Sequence, residues 1–206
     1  ENKLGIDNES IGQPEWSQNH LFFISDRNGY WNLYKFDGQE IQCCFTDEND
    51  YADPSWVLGT SSYAIIDCDL LALARTSPTG GLVLVNHKEQ NAEEVKLSRK
   101  ATSFSYLARF RKGFCCVTEY SKRLPEVIYY SITGKKDIVL APAEKLSIPS
   151  STLQKPSHVE FPTRDGRKAW AQIYKPRSTT KVKYDKSPLL LMIHGGPTGN
   201  AKSSLN

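Results

Sequence analysis

The segment "LLLMIHGGPTG" (residues 189–199) holds the residues of this chain best suited to chemistry: an apolar run that ends in His194, Gly195, Gly196 and Pro197. Acyl transfer needs backbone N–H groups aimed at the spot where negative charge develops, and each such donor lowers the barrier by roughly 3 kcal/mol. Glycines let a reacting group approach the backbone that closely. Pro197 has no N–H to give, so the candidate donors are the amides of Gly195 and Gly196, while Pro197 stiffens the turn. A purely structural Gly-Gly-Pro turn is the competing reading. No serine stands beside His194 in a strained turn, so His194 is not read as a general base.

The other polar residues offer less. His20, His87 and His158 fall in turns or a linker, where solvated or locally hydrogen-bonded histidine is the ordinary expectation. Asp165 and Asp185 read as turn and linker carboxylates. No Cys/His or carboxylate cluster has metal-ligand spacing, so no metal is expected. Four of the five cysteines form the neighbouring pairs Cys43-Cys44 and Cys115-Cys116 inside apolar runs. Adjacent strand residues point to opposite faces, so neither pair suits a disulfide or a metal; they are expected to be buried thiols in a reducing, cytoplasmic compartment.

Charge is uneven along the chain. Residues 1–60 carry 3 basic and 11 acidic groups, and residues 159–206 carry 9 basic and 3 acidic. The basic groups are spread through turns and a linker without a groove-reading motif, so nucleic acid is not an expected partner. No stretch approaches the roughly 18 uninterrupted apolar residues of a membrane helix, and the first residues lack the pattern of a secretory signal.

The elements that must position the glycine loop are read backwards from it. "LLLMI" is apolar at every position, as a strand in the interior of a helix-covered parallel or mixed sheet would be, and the loop past the end of such a strand is where open α/β sheets place their chemistry. Before it, "HVEFPTRDGRKAWAQIYKP" reads as a hairpin: Asp165-Gly166 makes the turn, and Val159, Phe161, Ala169, Ala171 and Ile173 alternate in phase. "APAEKLSIPSSTLQKPS" (141–157), rich in Pro and Ser, reads as a linker. The expected division is therefore 1–150 and 151–206.

Residues 1–150 repeat themselves. "QPEWSQNHLFFISD" (13–26) is echoed by "DPSWVLGTSSYAIID" (53–67), which sets Trp16 and Trp56 forty positions apart. Within the first unit, "HLFFIS" and "YWNLYKF" flank Asp26-Arg27-Asn28-Gly29, a tight-turn signal, and "EIQCCFT" adds a further strand. About four strands in roughly forty residues, with inner runs apolar at successive positions, describe a β-propeller blade. A second blade is read in "SSYAIID", "LLALART" and "GLVLVNH", and a third in "TSFSYLARF", "KGFCCVTEY" and "EVIYYSITG". Three blades cannot close a ring, so an incomplete propeller is expected. Trp16, Trp56, Tyr30 and Trp31 are expected to be mostly core aromatics. An antiparallel sandwich with a chance repeat is the alternative.

Pro14-Glu15-Trp16-Ser17, Ser25-Asp26-Arg27-Asn28-Gly29 and Leu33-Tyr34-Lys35-Phe36-Asp37 resemble the TolB-type propeller repeat. His194-Gly195-Gly196-Pro197 after an apolar strand resembles the oxyanion loop of α/β-hydrolases, and specifically the acylaminoacyl-peptidase branch of the prolyl oligopeptidase family, whose members carry a propeller followed by a hydrolase domain. The resemblance implies a mainly β chain: an incomplete propeller followed by the first strands of an α/β-hydrolase sheet. It also implies that His194 shapes the loop, that short peptides are the substrates and that no cofactor is used. The family's G-x-S-x-G elbow does not occur in these 206 residues, so the triad is expected beyond Asn206 and this chain alone is expected to be inactive. A TolB-like binding module and an esterase sharing the loop are the rival readings, and a homo-oligomer is left open.

Overall fold

Short runs rich in β-branched and aromatic residues, broken by tight turns, fold into three four-stranded antiparallel sheets that follow one another along the chain. The computed structural model describes residues 8–53, 56–76, 80–175, 188–196 and 201–205. The first sheet holds β1 (Ile11–Ser17), β2 (His20–Ser25), β3 (Asn32–Phe36) and β4 (Ile41–Cys43). The second holds β5 (Tyr63–Ile65), β6 (Leu70–Arg75), β7 (Gly81–Asn86) and β8 (Asn91–Glu94), and the third β9 (Ser103–Arg109), β10 (Gly113–Tyr120), β11 (Arg123–Ser131) and β12 (Lys136–Ala141). Each sheet is a plain meander with its strands in sequence order. After one 3-10 turn at Ser150–Thr152, the hairpin of β13 (Ser157–Pro162) and β14 (Lys168–Ile173) follows.

The sheets pack face to face, which explains why so many strand positions are apolar. On β6, Leu71 and Leu73 point into a core shared with the first sheet through Phe22, Ile24 and Leu33. Their neighbours Ala72 and Ala74 point the other way, into a core shared with the third sheet through Phe104, Phe114 and Ile128. A strand covered on both faces has no side left for polar residues. This is an incomplete β-propeller of three blades, as expected from the sequence.

The first strand of each sheet ties the blades together. Gln13, in the left-handed region at φ 50°, and Tyr106, at φ 55°, sit at irregularities in the ladders of β1 and β9. An extra residue there turns backbone and side-chain groups away from the strand's own partner. Gln13 uses the freedom on β5: its Oε1 accepts the Ser62 N–H at 2.8 Å, and its carbonyl accepts the Tyr63 hydroxyl at 2.6 Å. From the other side, the Leu107 N–H donates to the Ser61 carbonyl at 3.0 Å. In the third sheet, Gly113 lets β10 and β11 close up, because a Cβ there would lie 1.9 Å from the Tyr130 carbonyl oxygen.

Two expectations need correction. The forty-residue Trp16–Trp56 echo does not mark equivalent positions: Trp16 lies in β1, whereas Trp56 lies in the turn before β5. The equivalent second strands open at His20, Leu70 and Gly113. Nor are these tryptophans core residues. Trp16 is 67% exposed and Trp56 64%, and Tyr30 is exposed too, while Trp31 packs against the first core. Trp16 is near the end of an edge strand and Trp56 stands on a turn, places where no described element covers a large ring.

Candidate functional site

The hairpin before the glycine loop forms in the anticipated register, with Val159 opposite Ala171 and Phe161 opposite Ala169. Its turn is held by Asp165, which takes hydrogen bonds from Arg167 and Thr163; these bonds hold the Asp165 carboxyl below its ordinary range. Asp165 is thus a turn residue, as read from the sequence, and Asp185 lies outside the described residues.

At the loop itself the structure departs from expectation. Leu189–Ile193 form no ladder among the described residues, and their side chains are 74–90% exposed. An apolar strand stays buried only where neighbouring strands take its backbone and other layers take both faces, and the described residues supply neither for the anticipated strand. Gly196 lies in the left-handed region at φ 76°, which an L side chain adopts only with strain. No described residue accepts a hydrogen bond from the Gly195 or Gly196 N–H. The His194 ring Nδ1 lies 3.4 Å from the Gly195 carbonyl oxygen and touches no carboxylate among the described residues. Pro197 falls outside the described residues.

The remaining histidines and cysteines are structural in their contacts. His87 is buried between the first two sheets rather than solvated: its Nε2 lies 2.8 Å from the Cys68 carbonyl, its Nδ1 3.4 Å from the Lys35 ammonium, and its ring meets Phe22 edge-on. If Nε2 donates to that carbonyl, Nδ1 is left to accept from Lys35. All five cysteines are free. Within each pair one thiol is buried and one is not: burial pushes Cys44 and Cys116 up to about 12, while Cys43 and Cys115 are half-buried and Cys68 is exposed. Among the described residues no three metal-ligating side chains converge, and no helix is long and apolar enough to cross a membrane.

Sequence reasoning missed two features of the described residues. The first is the Glu126 carboxylate, whose side chain is only 1% exposed in β11. Burial alone would raise it. The Tyr120 hydroxyl at 2.5 Å, the Arg99 guanidinium at 2.8 Å and Arg123 at 3.3 Å outweigh that and hold the carboxyl below its ordinary value. The second is residues 201–205, which return to the sheets. The Lys202 ammonium pairs with Asp53 at 3.1 Å, the Ser204 hydroxyl lies 3.1 Å from that of Thr102, and the Leu205 N–H donates to the Tyr120 carbonyl at 2.9 Å. The hairpin joins in through Gln172, which donates to the Ala201 carbonyl, and His158, whose Nε2 is 3.2 Å from the Ser203 hydroxyl. The partners lie up to 149 positions away in sequence, too far for a local motif to announce them.

No protein-family model matches the chain, and no curated protein is similar enough to count as a match. Solved structures are. Puromycin hydrolase superposes with a TM-score of 0.89 at 23% identity, covering 98% of this chain and 31% of its own. A puromycin-hydrolysing peptidase from Mycobacterium tuberculosis gives 0.71 at 21% identity, over 81% of this chain and 26% of that one. A structure from a study of two prolyl endopeptidases gives 0.59 at 14% identity, over 81% and 24%. At such identities the likeness is one of fold, and this chain spans less than a third of each of those proteins. That shared fold agrees with the propeller repeat read in residues 1–150.

Proposed function

We infer that this chain is part of a serine-type peptidase, supplying propeller blades and an oxyanion loop to an active site whose nucleophile lies outside these residues. The observation that carries this reading is a fold match to puromycin hydrolase over 98% of the chain. In a chain with that fold, the Gly195 and Gly196 amides, free of partners among the described residues, suit an oxyanion. In the proposed reaction a serine hydroxyl attacks a peptide carbonyl and passes its proton to a histidine. The tetrahedral oxyanion is stabilised in part by the Gly196 amide; its collapse breaks the C–N bond and the amine leaves with the histidine's proton, after which water, giving a proton to that histidine, attacks the acyl ester and releases the acid as the serine regains its proton. The G-x-S-x-G elbow is missing from the sequence, so the triad belongs to another portion of the protein.

Substrates in this reading are short peptides and aminoacyl amides, the latter suggested by the puromycin hydrolysed by two of the proteins that share the fold. The family's division at about residue 150 is retained as part of the proposal. Five free cysteines suit a reducing compartment, and the cytoplasm is the proposed location.

Two measurements test the proposal. The 206-residue chain alone is expected to hydrolyse neither aminoacyl p-nitroanilides nor puromycin and to take no fluorophosphonate label; a labelled serine in it would sink the reading. In a longer protein carrying the triad, Gly196→Ala strains the loop and displaces the amide, so kcat is expected to fall about tenfold to a hundredfold with KM within threefold.

A further inference from the structure

The glycine loop has no ladder and no covering layer among the described residues, yet the chain just beyond it is fastened at several points. We propose that residues 201–205 are a positioning strap for the Gly195–Gly196 loop, with Lys202 and Asp53 forming its releasable end and Leu205 its fixed one.

Reach gives the first argument. From the end of β14 at Ile173, an extended chain could carry Gly196 roughly 75 Å away, whereas from Ala201 it could carry it only roughly 17 Å. The strap, and not the hairpin, therefore confines the loop. Its two ends differ in kind. The Leu205 N–H binds the carbonyl of Tyr120, whose hydroxyl is in turn held by the buried Glu126 carboxylate between Arg99 and Arg123. The landing point is thus backed by the hydrogen-bonded Tyr120–Glu126–Arg99–Arg123 network, which resists displacement. Ser204 adds to it: the Thr102 hydroxyl has one proton and gives it to the Glu119 carbonyl at 3.1 Å, so Ser204 donates to Thr102. The other end is a half-exposed ion pair, with Lys202 32% and Asp53 24% exposed. Such a pair is weak and is screened by salt. Asp53 leads from the first blade into the second, whereas Tyr120 belongs to the third and Thr102 directly precedes it, so the strap's anchors lie on more than one blade.

The structural half of this inference stands by itself; its catalytic consequence rests on the peptidase reading. The test has two arms. In the 206-residue chain, the Leu205 amide is expected to exchange with deuterium slowly. Lys202→Met and Asp53→Asn should each speed that exchange about threefold, 0.5 M NaCl should do the same in the unaltered chain, and the charge-swapped pair D53K/K202D should restore it. The Leu73 amide in the core serves as the control for folding. An unprotected Leu205 amide, or single variants that leave it unchanged while the core stays protected, overturns the strap. In a longer protein carrying the triad, the same single variants should lower kcat severalfold on a peptide p-nitroanilide, with KM within twofold and rescue by the charge swap. Altered exchange with unaltered kcat overturns the positioning role. A longer protein that hydrolyses nothing sinks the peptidase reading and leaves the strap to the first arm.

Discussion

Two stretches of this chain are almost equally apolar and have opposite fates. Leu70–Arg75, "LLALAR", is β6, and its four central side chains are at most 1% exposed. Leu189–Ile193, "LLLMI", is 74–90% exposed and pairs with nothing among the described residues. Composition does not separate them; neighbours do. β6 has β5 and β7 on its edges, the first sheet on one face and the third on the other. An apolar run states a demand for cover, and the demand is met only where the fold provides two edges and two faces.

The comparison is most easily broken by trimming one leucine in each stretch. Leu73→Ala removes a side chain from the core between the first two blades and is expected to cost about 3 kcal/mol in urea denaturation, by lost burial plus the cavity left behind. Leu191→Ala is expected to change stability by no more than about 0.5 kcal/mol. Equal losses would mean that the second stretch is covered in solution.

Charged groups give the same contrast at smaller amplitude. Glu126 is buried among three donors, and Asp165 sits on an exposed turn; both carboxyls are held below their ordinary values. Glu126→Gln is expected to cost about 2 kcal/mol at pH 7, because it leaves two guanidiniums and a phenol facing a neutral amide. A carboxyl lowered in the folded state adds stability above its unfolded value, near pH 4, and that stability is lost as pH falls through the folded value. The unaltered chain should therefore weaken between pH 5 and pH 3 more steeply than the Glu126→Gln variant, as read by the urea midpoint at each pH. Asp165→Asn should change the midpoint and its slope far less, because its partners Thr163 and Arg167 are two residues away on an exposed turn, where solvent screens the pair and the unfolded chain can form it too.

The same contrast separates what was legible in the sequence from what was not. Turn chemistry and period-two patterning are local, so Asp26–Gly29, the β10–β11 layout and the Val159–Ala171 register could be read directly. β8 could not: "NAEE" is exposed at all four positions, and it becomes a strand by pairing with β7, with Arg75 on Glu94 and Lys135 on Glu93 alongside. Glu126 looked like any strand carboxylate, since Arg99 is 27 residues away. The Trp16–Trp56 echo misled for the converse reason. Similar letters at a fixed spacing carry no information about which turn or strand each tryptophan occupies. At the glycine loop the sequence showed residue types and a conformational need, met by Gly196 at φ 76°, but not the distant contacts that hold the following residues.

The cysteines offer the gentlest test, because they report on cover without disturbing it. Thiolate is the reactive form, so burial slows alkylation both by excluding the reagent and by raising the thiol's pKa. Cys44 is pushed up to about 12 by burial, with the neighbouring Cys43 adding to the rise; Cys116 reaches about 12 for the same first reason, with Thr118 offsetting part of it. Iodoacetamide at pH 8 is therefore expected to label exposed Cys68 first and the half-buried Cys43 and Cys115 more slowly. Cys44 and Cys116 should react only as fast as the whole chain unfolds, which peptide mass spectrometry across a urea series would show. Labelling of Cys44 at the rate of Cys68 would mean that the seam between the first two blades opens locally, and the contrast between β6 and Leu189–Ile193 would then be one of degree.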